Sequence, residues 1–201
     1  TSTSVLAAEI QADGFLPLSY FGNQFGALYR WEANASESSF STIWSNCYVT
    51  IAQCNLLIEG IKKLHTEGKF SDSEQPTVKN YLGEAHLIRA IAYSILVDRF
   101  CVAYDPATAE NFYGVPIVDE YSPSADNTKY PSRSTLAATY NFIKDDIKQA
   151  KENMTATGQQ SCECLSTDAL TAFEARIALL PKGYDTAIDC AEGLIKDARY
   201  P

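Results

Sequence analysis

Between Tyr81 and Phe100 the chain reads Tyr-Leu-Gly-Glu-Ala-His-Leu-Ile-Arg-Ala-Ile-Ala-Tyr-Ser-Ile-Leu-Val-Asp-Arg-Phe, a helical pattern with apolar residues on nearly every side. Val78, Tyr81, Leu82, Ala85, Ile88, Ala92, Ile95 and Leu96 form its main stripe, and Leu87, Ile91 and Val97 a second. A helix that is apolar all round is buried on several sides, so other elements must pack around this one. Pro76 suits its first turn. No window reaches the roughly 18 apolar residues of a membrane-spanning helix, so the segment is expected at the centre of a protein core.

The rest of the chain supplies the packing partners. A helix is expected over 40–63, where Trp44, Tyr48, Ile51, Asn55, Leu57 and Ile58 recur at steps of three and four. Ser38, Ser39 and Ser41 offer N-cap oxygens, and a polar stretch with Gly68 ends it. Another spans 134–154, with Leu136, Tyr140, Ile143, Ile147, Ala150 and Met154 inward and Lys144, Asp145, Lys148, Lys151 and Glu152 toward water. Two more cover 166–180, with Leu170, Phe173, Ile177 and Leu180 inward, and 184–198, with Tyr184, Ala187, Ile188, Ala191, Leu194 and Ile195 inward. Pro181-Lys182-Gly183 joins these two into an antiparallel hairpin. Ala169, Ala172 and the run Gly183-Tyr184-Asp185-Thr186-Ala187-Ile188 resemble a tetratricopeptide unit. One such pair cannot bury its own face and must stack on the preceding helices. Pro116, Pro123 and Pro131 argue against central strands in the irregular segment between them. The expected fold is all-α: stacked tetratricopeptide-like helical hairpins with long ordered loops.

Charge and cysteine usage narrow the function classes. The net charge is −9, the isoelectric point is near 4.7, and no Lys/Arg run exceeds two residues, so the electrostatic footprint of a nucleic-acid binder is missing. Thr1 is not followed by a basic region and an apolar signal segment, so any targeting peptide is expected to have been removed or never to have been part of this sequence. Cys47, Cys54 and Cys101 lie in helical patterns, where a free thiol acts as a small apolar residue. Cys162 and Cys164 sit in a polar loop, where a local bridge and free thiols are both open.

No catalytic motif is present: there is no G-x-S-x-G, glycine-rich phosphate loop or H-E-x-x-H. Cys162-Glu163-Cys164 has too few companion ligands for a zinc site. We expect no enzyme activity, no cofactor and no metal. His86 reads as a satisfied, partly buried imidazole. Arg89 and Arg99 are expected to pair with carboxylates such as Glu84 or Glu59, and Asn55 to hydrogen-bond backbone. Trp44 and Tyr48 share a stripe with Ile51 and Ile58, so they read as core.

Residues 1–39 differ from the helical scaffold of 40–201. Leu6–Gln11 could form a short helix; beyond it Phe15, Tyr20, Phe21, Phe25, Tyr29 and Trp31 follow no clear periodicity. Aromatic faces can stack on the C–H faces of sugar rings while amide and carboxylate groups bind hydroxyls. Trp31, Tyr29, Asn34 and Tyr20 are therefore the candidate ligand-binding residues. The competing reading is that these rings plug the base of the loop as core.

One pattern names a family. It comprises Trp44-x-x-x-Tyr48-x-x-Ile51-x-x-x-Asn55, then Gly83-Glu84-Ala85 with Arg89-Ala90-x-x-Tyr93, then Gly114-Val115-Pro116. Ser132-Arg133-Ser134-Thr135, Tyr140-x-x-Ile143-x-x-Asp146-Ile147-x-x-Ala150, Ala169-x-x-Ala172-x-x-Ala175-Arg176 and Tyr184-x-x-Ala187 follow in order. Together they resemble the SusD/RagB family of nutrient-binding outer-membrane lipoproteins. The resemblance implies tetratricopeptide-like helices and a non-catalytic binder of glycan or oligosaccharide. It further implies delivery to a SusC-like TonB-dependent transporter at the outer-membrane cell surface, with the membrane reached only through a lipid anchor that this chain does not carry. The chain looks like the N-terminal portion of a longer protein of that kind. These motif residues are scaffold and carry no binding role over. A tetratricopeptide-type adaptor for a protein or peptide is the alternative.

Overall fold

The computed structural model describes residues 6, 9–12, 14–16, 18, 22, 25–32, 38–155 and 165–196. Tyr20, Asn34, Cys162 and Cys164 lie outside them. The helices are α1 (Gly26–Tyr29), α2 (Ser38–Thr66), α3 (Gln75–Phe100), α4 (Leu136–Asn153), α5 (Thr167–Leu179) and α6 (Tyr184–Ile195). Among the described residues there is no strand, only an isolated bridge between Tyr113 and Thr135. The chain is all-α, as its periodicity requires, and it divides into two compact units, Thr1–Tyr48 and Val49–Pro201.

The first unit has a small core of Ile10 and Leu28, against which Leu6, Phe25, Tyr29 and Phe40 pack partly buried. Trp44 and Tyr48 lie one turn apart on the first part of α2, with ring centroids 5.0 Å from each other.

In the second unit α3 packs along α4, and α5 pairs with α6. Ile51, Leu87, Leu96, Leu136 and Ile143 are fully enclosed. Gly83 sets the approach of α3 to the end of α4: a Cβ there would stand 2.5 Å from Met154 Cγ and 2.7 Å from Met154 N. Two helices begin with side-chain caps, Thr135 Oγ1 accepting from the Ala138 N–H at 3.0 Å and Ser166 Oγ from the Ala169 N–H at 3.2 Å. The irregular segment 101–135 is tied to this frame through polar contacts. Gly114 N–H donates to Ser134 O, Arg133 Nε to Gly114 O, and the Tyr93 hydroxyl both donates to Val118 O and accepts from Val118 N–H.

Some expected core positions are exposed instead. Ile88 is 37% exposed, and Tyr81 and Leu57 are more open still. The inner line of α3 runs through Ala85, Arg89, Tyr93 and Leu96 rather than through Ile88. The reason is that Arg89 and His86 turn inward to meet a carboxylate on α4, which rotates Ile88 outward. On α6 only Ala187 is buried, while Tyr184, Ile188 and Ile195 face out.

Candidate functional site

Trp31 stands just past α1, on a helix end that closes by two bonds. The Glu32 N–H donates to Ala27 O at 2.9 Å and the Trp31 N–H to Leu28 O at 3.2 Å. This is the Schellman pattern, which asks for left-handed backbone at the residue after the C-cap and normally takes glycine there. Trp31 fills that position with φ 57°. The same closure ends α2, where Gly68 has φ 63°, so the ordinary solution exists in this chain and is not used at Trp31. A bulky residue in the left-handed region costs about 1–2 kcal/mol, and such outliers cluster at ligand-facing sites. The indole is 71% exposed, and beside it Arg30 Nε pairs with Glu32 Oε2 at 2.7 Å. The structure therefore places Trp31 outside the core. Tyr29, two residues earlier, packs partly buried against Ile10 and Leu28. The turn offers an open aromatic face flanked by a cation and a carboxylate, a set that can stack on a ring and bind hydroxyls.

The second unit holds a buried polar network. Arg89 Nε and Nη2 donate to the two Asp146 oxygens at 2.8 and 2.7 Å, and Nη1 donates to Asn55 Oδ1 at 2.7 Å. Asn55 Nδ2 donates in turn to Val118 O and Glu120 O, the backbone role expected for it. His86 Nδ1 lies 2.7 Å from Asp146 Oδ1, while its Nε2 has no partner among the described residues. The imidazole is thus half satisfied, and Arg89 pairs with Asp146 rather than with Glu84 or Glu59. Burial works against the charge on Arg89, but the Asp146 carboxylate outweighs it and raises the guanidinium above its ordinary value. Burial also pushes the Cys54 thiol up to about 11, Arg89 opposing. It pushes the Tyr93 phenol up to about 12, opposed by its bond to Val118. Every polar atom here except His86 Nε2 is used in holding α2, α3, α4 and the 117–122 segment together, so the network is a scaffold. In the sequence Asp146 stands out only within the family pattern, and no local spacing pairs it with Arg89 or His86.

A polar recess of about 620 Å³ opens beside this network, lined by Glu59, Lys62, Glu120, Tyr121 and Phe142. Glu59 Oε1 accepts from the Tyr121 N–H. Among the described residues no group of three His, Cys, Asp or Glu is placed to hold a metal ion, and no helix is long and apolar enough to cross a membrane. Cys47 and Cys54 are buried free thiols; Cys101 and Cys190 are half-buried and free.

A family model described as SusD-like, starch-binding and associating with outer membrane matches residues 3–179. A SusD-like protein of Formosa agariphila is 26% identical over 157 residues, which is 78% of this chain and 26% of that protein. A solved SusD superfamily protein of Bacteroides thetaiotaomicron superposes with a TM-score of 0.70 at 27% identity, over 85% of this chain and 35% of the other. A provisionally named sugar-binding protein of Bacteroides vulgatus gives 0.70 at 28% identity, over 86% and 36%. The chain spans about a quarter to a third of the length of these relatives.

Proposed function

The chain belongs to the SusD-like family, described as starch-binding and associating with outer membrane, and from that premise we propose that it forms part of a non-catalytic glycan-capture protein. In this reading the whole protein sits on the outer-membrane surface through a lipid anchor. It binds oligosaccharide and passes it to a SusC-like TonB-dependent transporter, with no bond made or broken and no cofactor.

The observation that carries the reading is Trp31, a 71% exposed indole held in left-handed backbone at a helix end that glycine would close with less strain. Tyr29 shores the turn from below, and Asn34 and Tyr20 complete the proposed ligand-binding set. A flat ring on a turn closed by two hydrogen bonds offers a face for a sugar, and the Arg30–Glu32 pair supplies donors and acceptors at its edge.

The test is Trp31→Ala in the full-length protein, with affinity electrophoresis and titration against a panel of oligosaccharides that includes starch fragments. Binding is expected to weaken by about 1–2 kcal/mol, the scale of a lost aromatic contact, with the melting temperature nearly unchanged. A melt lowered by about 3 kcal/mol, the scale of a lost core aromatic, with affinity intact would make the turn scaffold. Failure of every sugar in the panel, with a peptide bound instead, would favour the adaptor reading.

A further inference from the structure

We propose that the recess between α4 and the α5–α6 turn is a binding site for a small amphiphilic anion with a flat apolar body. It shares no lining residue with the Trp31 turn and does not rest on the glycan reading. The recess encloses about 380 Å³, within the range of roughly 300–1,000 Å³ typical of small-molecule sites. Its floor is apolar: Tyr140, Ile147 and Ile177 are buried, and the Tyr104 and Tyr140 rings lie 4.0 Å apart at their centroids. Its rim is cationic. Lys144, Lys148 and Lys151 follow one another along a single face of α4, against one lining carboxylate, Glu174.

The charge is unevenly used. Lys151 Nζ is taken by Glu174 at 2.6 Å. Among the described residues Lys144 and Lys148 are in no ion pair, although the chain as a whole carries a net charge of −9. Two like charges four residues apart repel along a helix; Asp145 and Glu152 on the neighbouring turns offset part of this, and an anion between the lysines would offset more. A neutral sugar needs hydroxyl partners, not two unpaired ammonium groups over an apolar floor. A ligand with one anionic end and a planar hydrocarbon body satisfies both halves of the site.

Two fluorescent probes of similar shape test this in the whole chain: 8-anilinonaphthalene-1-sulfonate, and the uncharged N-phenyl-1-naphthylamine, which lacks the sulfonate. Both are expected to bind saturably. Lys144→Gln with Lys148→Gln should weaken the sulfonate probe roughly tenfold, the combined scale of two exposed ion pairs, and leave the neutral probe within about twofold. Salt raised from about 0.05 to 0.5 M should weaken the sulfonate alone, through screening. Ala178→Phe, which adds bulk to the lining, should weaken both while the melt holds. If that variant unfolds, the lysine pair still decides. Lys62→Gln with Lys79→Gln, on a different recess, and Trp31→Ala should change neither probe, which separates this site from the glycan site. Equal sulfonate affinity in parent and Lys144/Lys148 double variant would overturn the proposal, as would an equal loss for the Lys62/Lys79 control.

Discussion

Trp31 carries two opposed contributions, an exposed ring that no core contact explains and a backbone angle that costs stability. Substitution separates them. Trp31→Ala keeps the left-handed strain and loses the ring, so stability should stay within about 0.5 kcal/mol. Trp31→Gly loses the ring and the strain together, and should be about 1 kcal/mol more stable than the alanine variant. Chemical denaturation of the pair checks this; a glycine variant less stable than alanine would mean that the turn is not closed as described. Asp146 behaves in the opposite way. Asp146→Ala strands Arg89 without its carboxylate and should cost about 3–5 kcal/mol, whereas Arg89→Met with Asp146→Leu should recover only part of that loss, because His86 Nδ1 and Asn55 Oδ1 then lose their partners. Cys54 gives a pH dependence. Its thiol is raised from 9.0 to about 11 in the fold, so between those values the folded chain holds a proton that the unfolded chain has released. Stability therefore falls as pH rises through 9, ahead of the effect of Tyr93, whose phenol starts from 10.0. Thermal melts at several alkaline pH values should show a shallower fall for Cys54→Ala than for the parent. Trp31 was visible in the sequence because it lay outside every helical stripe. The strain beneath it was not, since nothing in the letters Arg-Trp-Glu announces a left-handed residue. Asp146 was opaque for another reason: its partners are 57 and 60 residues away in the chain, and local spacing carries no record of them.

At the level of elements, most helices fall where spacing puts them, but α2 begins at Ser38, so Ser38, Ser39 and Ser41 lie inside it rather than capping it. Ser166 and Thr135 cap as short polar residues before apolar runs do, and Gly68 and Pro181-Lys182-Gly183 stop helices by ordinary turn chemistry. What spacing could not give is the rotation of α3. A helix apolar on nearly every side has almost no amphipathic direction to read, so its facing was decided by two polar residues, His86 and Arg89, seeking Asp146. The rotation makes neighbouring residues unequal. Leu87 is fully enclosed and Ile88 is 37% exposed. Leu87→Asp should therefore prevent folding, because an unpartnered buried carboxylate costs several kcal/mol. Ile88→Asp should leave a folded protein of lowered stability, and Lys148→Ala should change stability by no more than about 0.5 kcal/mol. Circular dichroism melts of the three variants test the order; equal loss at Leu87 and Ile88 would show that α3 is turned differently.

For the whole molecule, charge is the property that sorts its binding modes. The chain carries −9, so any long-range field repels polyanions, and the family to which it belongs is described by a neutral polysaccharide. The proposed stacking on Trp31 and hydrogen bonds to hydroxyls would bring no net charge out of solvent, and screening would have little to act on. The lysine-rimmed recess differs, because its selectivity for an anion is Coulombic. The two proposed sites should therefore respond differently to salt in one and the same protein. Glycan affinity is expected to stay within about twofold as salt rises from about 0.05 to 0.5 M, whereas a binding mode built on many phosphate contacts would lose several orders of magnitude over a smaller range. The sulfonate probe should lie between these limits, because only two or three cations hold it. Titration of the full-length protein with both ligands across that salt series gives the two slopes directly. A steep slope for the glycan would mean that the captured saccharide is itself charged, or that it binds at the lysines rather than at Trp31. The Trp31→Ala and Lys144→Gln/Lys148→Gln variants, run in the same series, assign that slope to one face or the other.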